Sequence, residues 1–340
     1  MSDTKAPVSR RRFIKLGTIG ATMAGAMGVG LLPSQAPVSE QSDDSHPHTM
    51  VMPGVDGEVD HVANGFNPSD ILTDFDGGTV STLPNGQTLR EYRIVAGEKN
   101  IELVPGLYYP AWTYNGRIPG PTIRATEGDH IRIEFVNGST HPHSMHFHGI
   151  HPGNMDGVFE QVGPGEKFTY EFDAEPFGLH LYHCHSAPLA KHISKGLYGA
   201  FIIDPKDGWP KVDHEMVMVM SGFDLDFDSA NDLYVVNAIP FHYDKHPIQL
   251  KVGETVRVFL VNILEFDLIN SFHLHANFFQ YYSTGTSLTP TEYTDTVAQM
   301  QGQRGILEFS YKYPGKYMFH AHKTEFAELG WTGLFEVTEG

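Results

Sequence analysis

The fold expected of this 340-residue chain is all-β, with two tandem Greek-key domains of β-sandwich or barrel type. Three observations predict it. Short runs alternate apolar and polar residues at the period of a strand: Ile131, Ile133 and Phe135 against Arg132 and Glu134, then Phe168, Tyr170 and Phe172, then Leu307, Phe309 and Tyr311. Turn signals such as Asn137-Gly138, Gly163-Pro164-Gly165 and Pro314-Gly315 punctuate these runs, and no long stretch has a helical period. The pattern also occurs twice. Glu127-Gly128-Asp129-His130-Ile131-Arg132 is echoed by Val252-Gly253-Glu254-Thr255-Val256-Arg257, and Gly199-Ala200-Phe201 by Gly333-Leu334-Phe335. This is a duplication of whole domains, not a solenoid.

At the N-terminus, Ser9-Arg10-Arg11-Arg12-Phe13-Ile14-Lys15 resembles a twin-arginine export signal. A weakly apolar stretch from Leu16 to Leu32 follows, and Ser34-Gln35-Ala36 offers small residues for cleavage. Residues 1–36 are therefore expected to be a removed signal, which places the protein in the periplasm or outside the cell. An uncleaved anchor is the alternative, because the apolar run is about the minimum length for spanning. Residues 37–85 are polar, acidic and rich in Pro and Gly, and are expected to be a flexible leader, with an edge strand at most at its end. Its His46, His48, Met50 and Met52 read either as copper-capturing groups or as part of a solvated tail. The domains are expected at residues 86–208 and 209–340, with Asp204-Pro205-Lys206-Asp207-Gly208 at the joint.

Composition excludes several classes. The net charge of −18 disfavours nucleic-acid binding, and 12% aromatic content with 19% charged residues suits packed cores rather than disorder. The one cysteine of the chain leaves no internal disulfide to hold the fold.

That cysteine carries the strongest signal. Cys184 lies between His183 and His185, with His192 eight residues on, and thiolate with imidazole is ligand chemistry for copper. On an extended strand Cys184 faces one way and its two neighbours the other, so one tripeptide can serve two metal centres. His-x-His pairs recur at His146/His148, His273/His275 and His320/His322. The second repeat has Ala321 in place of the cysteine and Asn270 in place of His143, yet keeps both pairs.

With its four His-x-His pairs in order, one of them holding the cysteine, the chain resembles a two-domain, laccase-like multicopper oxidase built from cupredoxin domains over residues 85–340. The resemblance implies four coppers per subunit. A type 1 ion would be held by His143, Cys184 and His192, with the non-ligating Leu197 at the axial position; His141 and Met145 are rivals for the histidine and axial roles. A type 2 ion would be held by His146 and His273, and two type 3 ions by His148, His183, His185, His275, His320 and His322. It also implies oxidation of a small reductant, a phenol, an aromatic amine or a low-valent metal ion, coupled to reduction of O2 to water. Electrons would enter through an exposed edge of His192. Asp156 would relay protons or fix a bound water near the type 2 ion, its plainer role being a turn residue before Gly157; Glu325 and Glu328 are weaker relay candidates. In the family such subunits form homotrimers, each cluster shared between neighbours. The rival readings are a copper nitrite reductase, whose ligand loop from Cys184 to His192 is closer in length to the one here, and a non-catalytic blue-copper electron carrier.

Overall fold

The computed structural model describes residues 57–340. The export signal and the His46, His48, Met50 and Met52 group lie outside the described residues. Four sheets form two sandwiches. In the first half, β1 (Phe75–Asp76), β5 (Thr122–Thr126), β10 (Tyr198–Asp204), β9 (Gly178–His183) and β7 (His146–Phe147) make one sheet in that spatial order. The facing sheet runs β2 (Thr79–Thr82), β3 (Thr88–Val104), β6 (His130–Asn137) and β8 (Lys167–Asp173), and β4 (Leu107–Tyr114) pairs with β3.

The second half repeats this wiring, and also includes β12 (Leu233–Val236), β16 (Phe279–Ser283), β17 (Glu292–Thr294) and β18 (Thr296–Met300). β14 (Thr255–Asn262) runs parallel to β11 (His214–Phe223) and antiparallel to β19 (Arg304–Ser310), as β6 does with β3 and β8. β21 (Thr332–Thr338) runs parallel to β13 (Ile248–Lys251) and antiparallel to β20 (Gly315–His320), as β10 does with β5 and β9. The short partner strands also correspond: β7 pairs with β9, and β15 (Ile269–Leu274) with β20.

Alternation decides what each sandwich buries. In β6, Ile131, Ile133 and Phe135 are fully buried while His130, Arg132 and Glu134 are half-buried on the other face. Those apolar side chains meet Phe147, Tyr170, Phe172, Tyr182 and Phe201 in the first core. Phe272, Phe319, Trp331 and Phe335 centre the second.

A third apolar cluster joins the halves, bringing Leu179, Leu181 and Ile202 against Val217, Val219 and Phe259. An ion network crosses the same joint. Arg124 pairs with Asp204 at 2.9 Å and with Glu215 at 2.7 Å. Arg257, 1% exposed at its side chain, takes Glu215 at 2.9 Å and also holds Glu308.

The segment before residue 85 departs from expectation. It holds α1 (His61–Asn64) and α2 (Pro68–Ile71), capped by the Asp60 and Asn67 side chains, followed by β1, which pairs with β5, and β2, which pairs with β3. Tertiary contacts explain the order. Asn64 Nδ2 donates to the Glu102 carbonyl in the first half, and Tyr243 Oη of the second half donates to the Pro68 carbonyl. Ile71 and Leu72 are buried.

Candidate metal centres

The first centre forms where β9 ends. Cys184 follows its last residue and turns its sulfur into the sandwich. His143 comes from the loop before β7, and His192 from the short α3 (Leu189–Ser194). All three side chains are buried. Sγ of Cys184 lies 3.2 Å from His192 Nδ1 and 3.8 Å from His143 Nδ1, and the two Nδ1 atoms are 3.1 Å apart. Donors about 2.0–2.3 Å from one ion in a trigonal plane sit about 3.5–4 Å apart, so this set is close to a copper-ready arrangement. Burial holds both rings in the neutral, ligating form, with pKa values pushed down to about 3 for His143 and about 4 for His192. Burial also raises the Cys184 thiol, a shift that a bound cation opposes.

The second and third centres are two half-sites built alike. His146 and His183 are cross-strand partners on β7 and β9, and His273 and His320 are the same on β15 and β20. Phe147 and Leu274 point into their cores, so His146/His148 and His273/His275 point away from them. The hydrogen bonds match as well. His183 Nδ1 lies 2.9 Å from the Cys184 carbonyl, and His320 Nδ1 lies 2.7 Å from the Ala321 carbonyl. Each ring therefore aims Nε2 outward, to within 3.3 Å of His148 Nε2 in the first half and 2.9 Å of His275 Nε2 in the second. His185 N–H donates to Ser144 Oγ at 3.2 Å, and His322 N–H to Ser271 Oγ at 2.9 Å. The rings of His185 and His322 stand 5.3 Å and 5.0 Å from those of His146 and His273.

Residues 96–208 and 211–340 each match the multicopper oxidase family. The chain belongs to the multicopper oxidase family. A crystal structure of a multicopper oxidase is 58% identical with a TM-score of 0.81, over 83% of this chain and 100% of that one. The copper nitrite reductase from Nitrosomonas europaea is 30% identical with a TM-score of 0.68, over 74% of this chain and 94% of that one. Among curated relatives, the copper-containing nitrite reductase of Neisseria meningitidis is 32% identical over 249 residues, 66% of this chain and 63% of that protein. The chain thus spans less than two thirds of that relative's length.

Within this copper-binding oxidase fold the two half-sites stay apart in one chain. His146, His148 and His183 form one ligand-ready triad and His273, His275 and His320 another, and no such group among the described residues mixes histidines of these two half-sites. The second triad opens into a cavity of about 510 Å³ lined by His273, His275, Asn277, Phe278, Tyr293 and Tyr313.

Around the first centre, the Ser144 N–H donates to the sulfur at 3.4 Å. Leu197 is fully buried and its carbonyl accepts from the Cys184 N–H. His141 does not compete for the centre, since it binds Glu98 at 3.2 Å on the surface. Met145 is fully buried in the first core, its N–H bonded to Tyr170 Oη.

His192 corrects one expectation: its edge is not exposed. The Trp112 ring covers it at 4.7 Å and also lies 5.2 Å from His143. Lys191 sits over the same indole at 5.3 Å. Nothing in the local sequence marks Trp112, which comes from β4.

In the second half the vacated centre is filled with protein. The Ala321 N–H donates to the Trp331 carbonyl as the Cys184 N–H does to Leu197, so Trp331 stands where Leu197 does. Its Nε1 donates to Asn270 Oδ1 at 3.1 Å, and both residues are buried. Asp156 lies beside the first half-site, its carboxylate 3.1 Å from His146 Nδ1 and 3.5 Å from His151 Nε2.

Proposed function

We propose that this enzyme oxidises a small reductant one electron at a time and reduces O2 to water, with four coppers per subunit. The observation that carries the reading is the second half-site. That domain has replaced its thiol centre with Ala321, Asn270 and Trp331, yet keeps four histidines in the same strand register and hydrogen-bond pattern as the first. A redundant imidazole set has no use in packing, and His275 and His322 are exposed.

In this reading His143, Cys184 and His192 would hold the type 1 ion, beside the buried Leu197. His146 and His273 would hold the type 2 ion; His148, His183, His185, His275, His320 and His322 would hold the type 3 pair. When bound, copper supplies the one-electron chemistry at the thiolate and the four-electron reduction of O2 at the cluster. The polypeptide supplies the rest. Cys184 is joined through its own backbone to His183 and His185, a covalent path between the two ligand sets. Trp112, itself buried, packs 4.7 Å from the His192 ring and shields the buried rings from water. The adjoining cavity, about 610 Å³ and lined by Lys191, Lys195, Phe227 and Phe266, suits an aromatic donor. Asp156 fixes the His146 ring and can pass a proton toward the half-site.

Because the two triads lie apart, the reading requires the first domain of one subunit to meet the second domain of the next. Such head-to-tail contacts close into a ring, here a homotrimer. Export by the twin-arginine route, to the periplasm or beyond, completes the proposal.

Nitrite reduction is the competing activity, supported by the Neisseria and Nitrosomonas relatives. The test is a pair of assays on copper-loaded protein. O2 consumption with a phenolic or dye reductant, with negligible nitrite turnover, is expected. Nitrite turnover without O2 uptake would reverse the assignment.

A further inference from the structure

One histidine group stands outside the centres already described. His61 opens α1, while His242 opens α4 (His242–Lys245) and His246 follows its end, one helical turn on and on the same side. One nitrogen of each ring lies within 4.8 Å of the other two. The ring centroids are 5.2 Å apart for His61 and His242, and 4.7 Å for His242 and His246.

The group is poorly explained as packing. Both ring nitrogens of His61 are shielded from water and lack a well-formed hydrogen bond, although the Phe66 backbone lies near. A buried polar atom without a partner costs free energy unless something else satisfies it. Each of the other rings has one nitrogen engaged: Ser69 Oγ is 2.8 Å from His242 Nε2, and Glu58 Oε2 is 3.1 Å from His246 Nε2. Such outer partners orient metal-binding imidazoles. Glu58 and Asp70 supply negative charge nearby and Lys245 positive charge.

We propose that His61, His242 and His246 bind one divalent zinc or copper ion, separate from the redox centres. Three imidazoles with a carboxylate at the rim match the ligand preference of both metals. The site would tie the N-terminal segment to the second domain. That segment already bridges both halves, through Asn64 to Glu102 and through Pro68 to Tyr243. Metal bound only in the folded state would raise thermal stability.

The test starts from copper-loaded full-length protein, incubated with Zn(II) and desalted, beside a His61→Ala/His246→Ala variant. Zinc plus copper per chain is expected to be one ion higher in the parent, with the blue absorbance and the rate with a reducing dye the same in both. Added zinc should raise the melting temperature of the parent and not of the variant. Equal metal totals in the two would overturn the site. Crystals of the parent, scanned at the zinc and copper absorption edges, give a check independent of the variant's folding. A peak among the three rings is expected, and its absence at both edges would also overturn the proposal.

Discussion

The Asp156 backbone carbonyl and carboxylate both lie against Nδ1 of His146, at 2.8 Å and 3.1 Å. The ring is thereby turned to aim Nε2 at the half-site. The carbonyl alone can keep that orientation, so an Asp156→Asn variant should retain its copper. The carboxylate is the part that can carry a proton, so the same variant should lose about 10–100-fold in turnover, the range seen when partners of ligating groups are changed. Copper analysis beside steady-state O2 uptake checks this. Full turnover at full copper loading would remove Asp156 from the mechanism.

In the proposed assignment Leu197, buried in the same apolar cluster as Cys184, stands where a thioether could reach the ion. Leu197→Met is close to volume-conserving and should cost less than about 1.5 kcal/mol of stability. A new axial sulfur would favour the oxidised ion, so the reduction potential should fall. Potentiometric titration of the blue absorption reads the shift directly. An unchanged or raised potential would mean that the Met sulfur does not reach the ion.

Arg257 is the buried member of the network across the domain joint, holding Glu215, Glu308 and the Pro210 carbonyl. An Arg257→Met variant leaves Glu308 without its buried partner. Loss of one member of a buried pair costs about 3–5 kcal/mol, so the melting temperature should drop well beyond the scatter of surface variants. Calorimetry of the two proteins side by side is the measurement.

The buried histidines set the acid limb of metal-free stability. His143 and His148 are pushed down to about 3, and His183 and His192 to about 4, chiefly by burial. An unfolded chain takes protons on these rings near pH 6.5, before the folded one does. Their contribution is therefore complete above pH 6.5 and is lost as pH falls from there toward 3. Asp232 and Asp244, raised by burial to about 6 and about 7, act in the opposite sense but are fewer. Denaturant melts of the metal-free protein should show stability falling across that window. Copper should raise stability across the range but leave the fall in place, because the protons that drive it bind the unfolded chain.

Much of this was legible in the chain. Alternation in β6, the duplicated motifs and the cysteine between two histidines led to two sandwiches and to the three ligand groups. The part that was not legible depends on contacts between distant segments. α1 and α2 are four residues each, too short to show a helical period, and stand because Asn64, Pro68 and Leu72 find partners in both halves. Trp112 covers His192 from a strand 80 residues earlier in sequence, and His61 meets His242 from 181 residues earlier. No local pattern encodes either meeting.

In the proposed cluster two imidazole half-sites, one from each domain type, enclose three ions between neighbouring subunits. Diffraction at the copper edge from reconstituted crystals locates those ions. Three anomalous peaks are expected between the His146, His148, His183 and His185 face of one subunit and the His273, His275, His320 and His322 face of the next, plus one at Cys184. A single peak at that interface would contradict it.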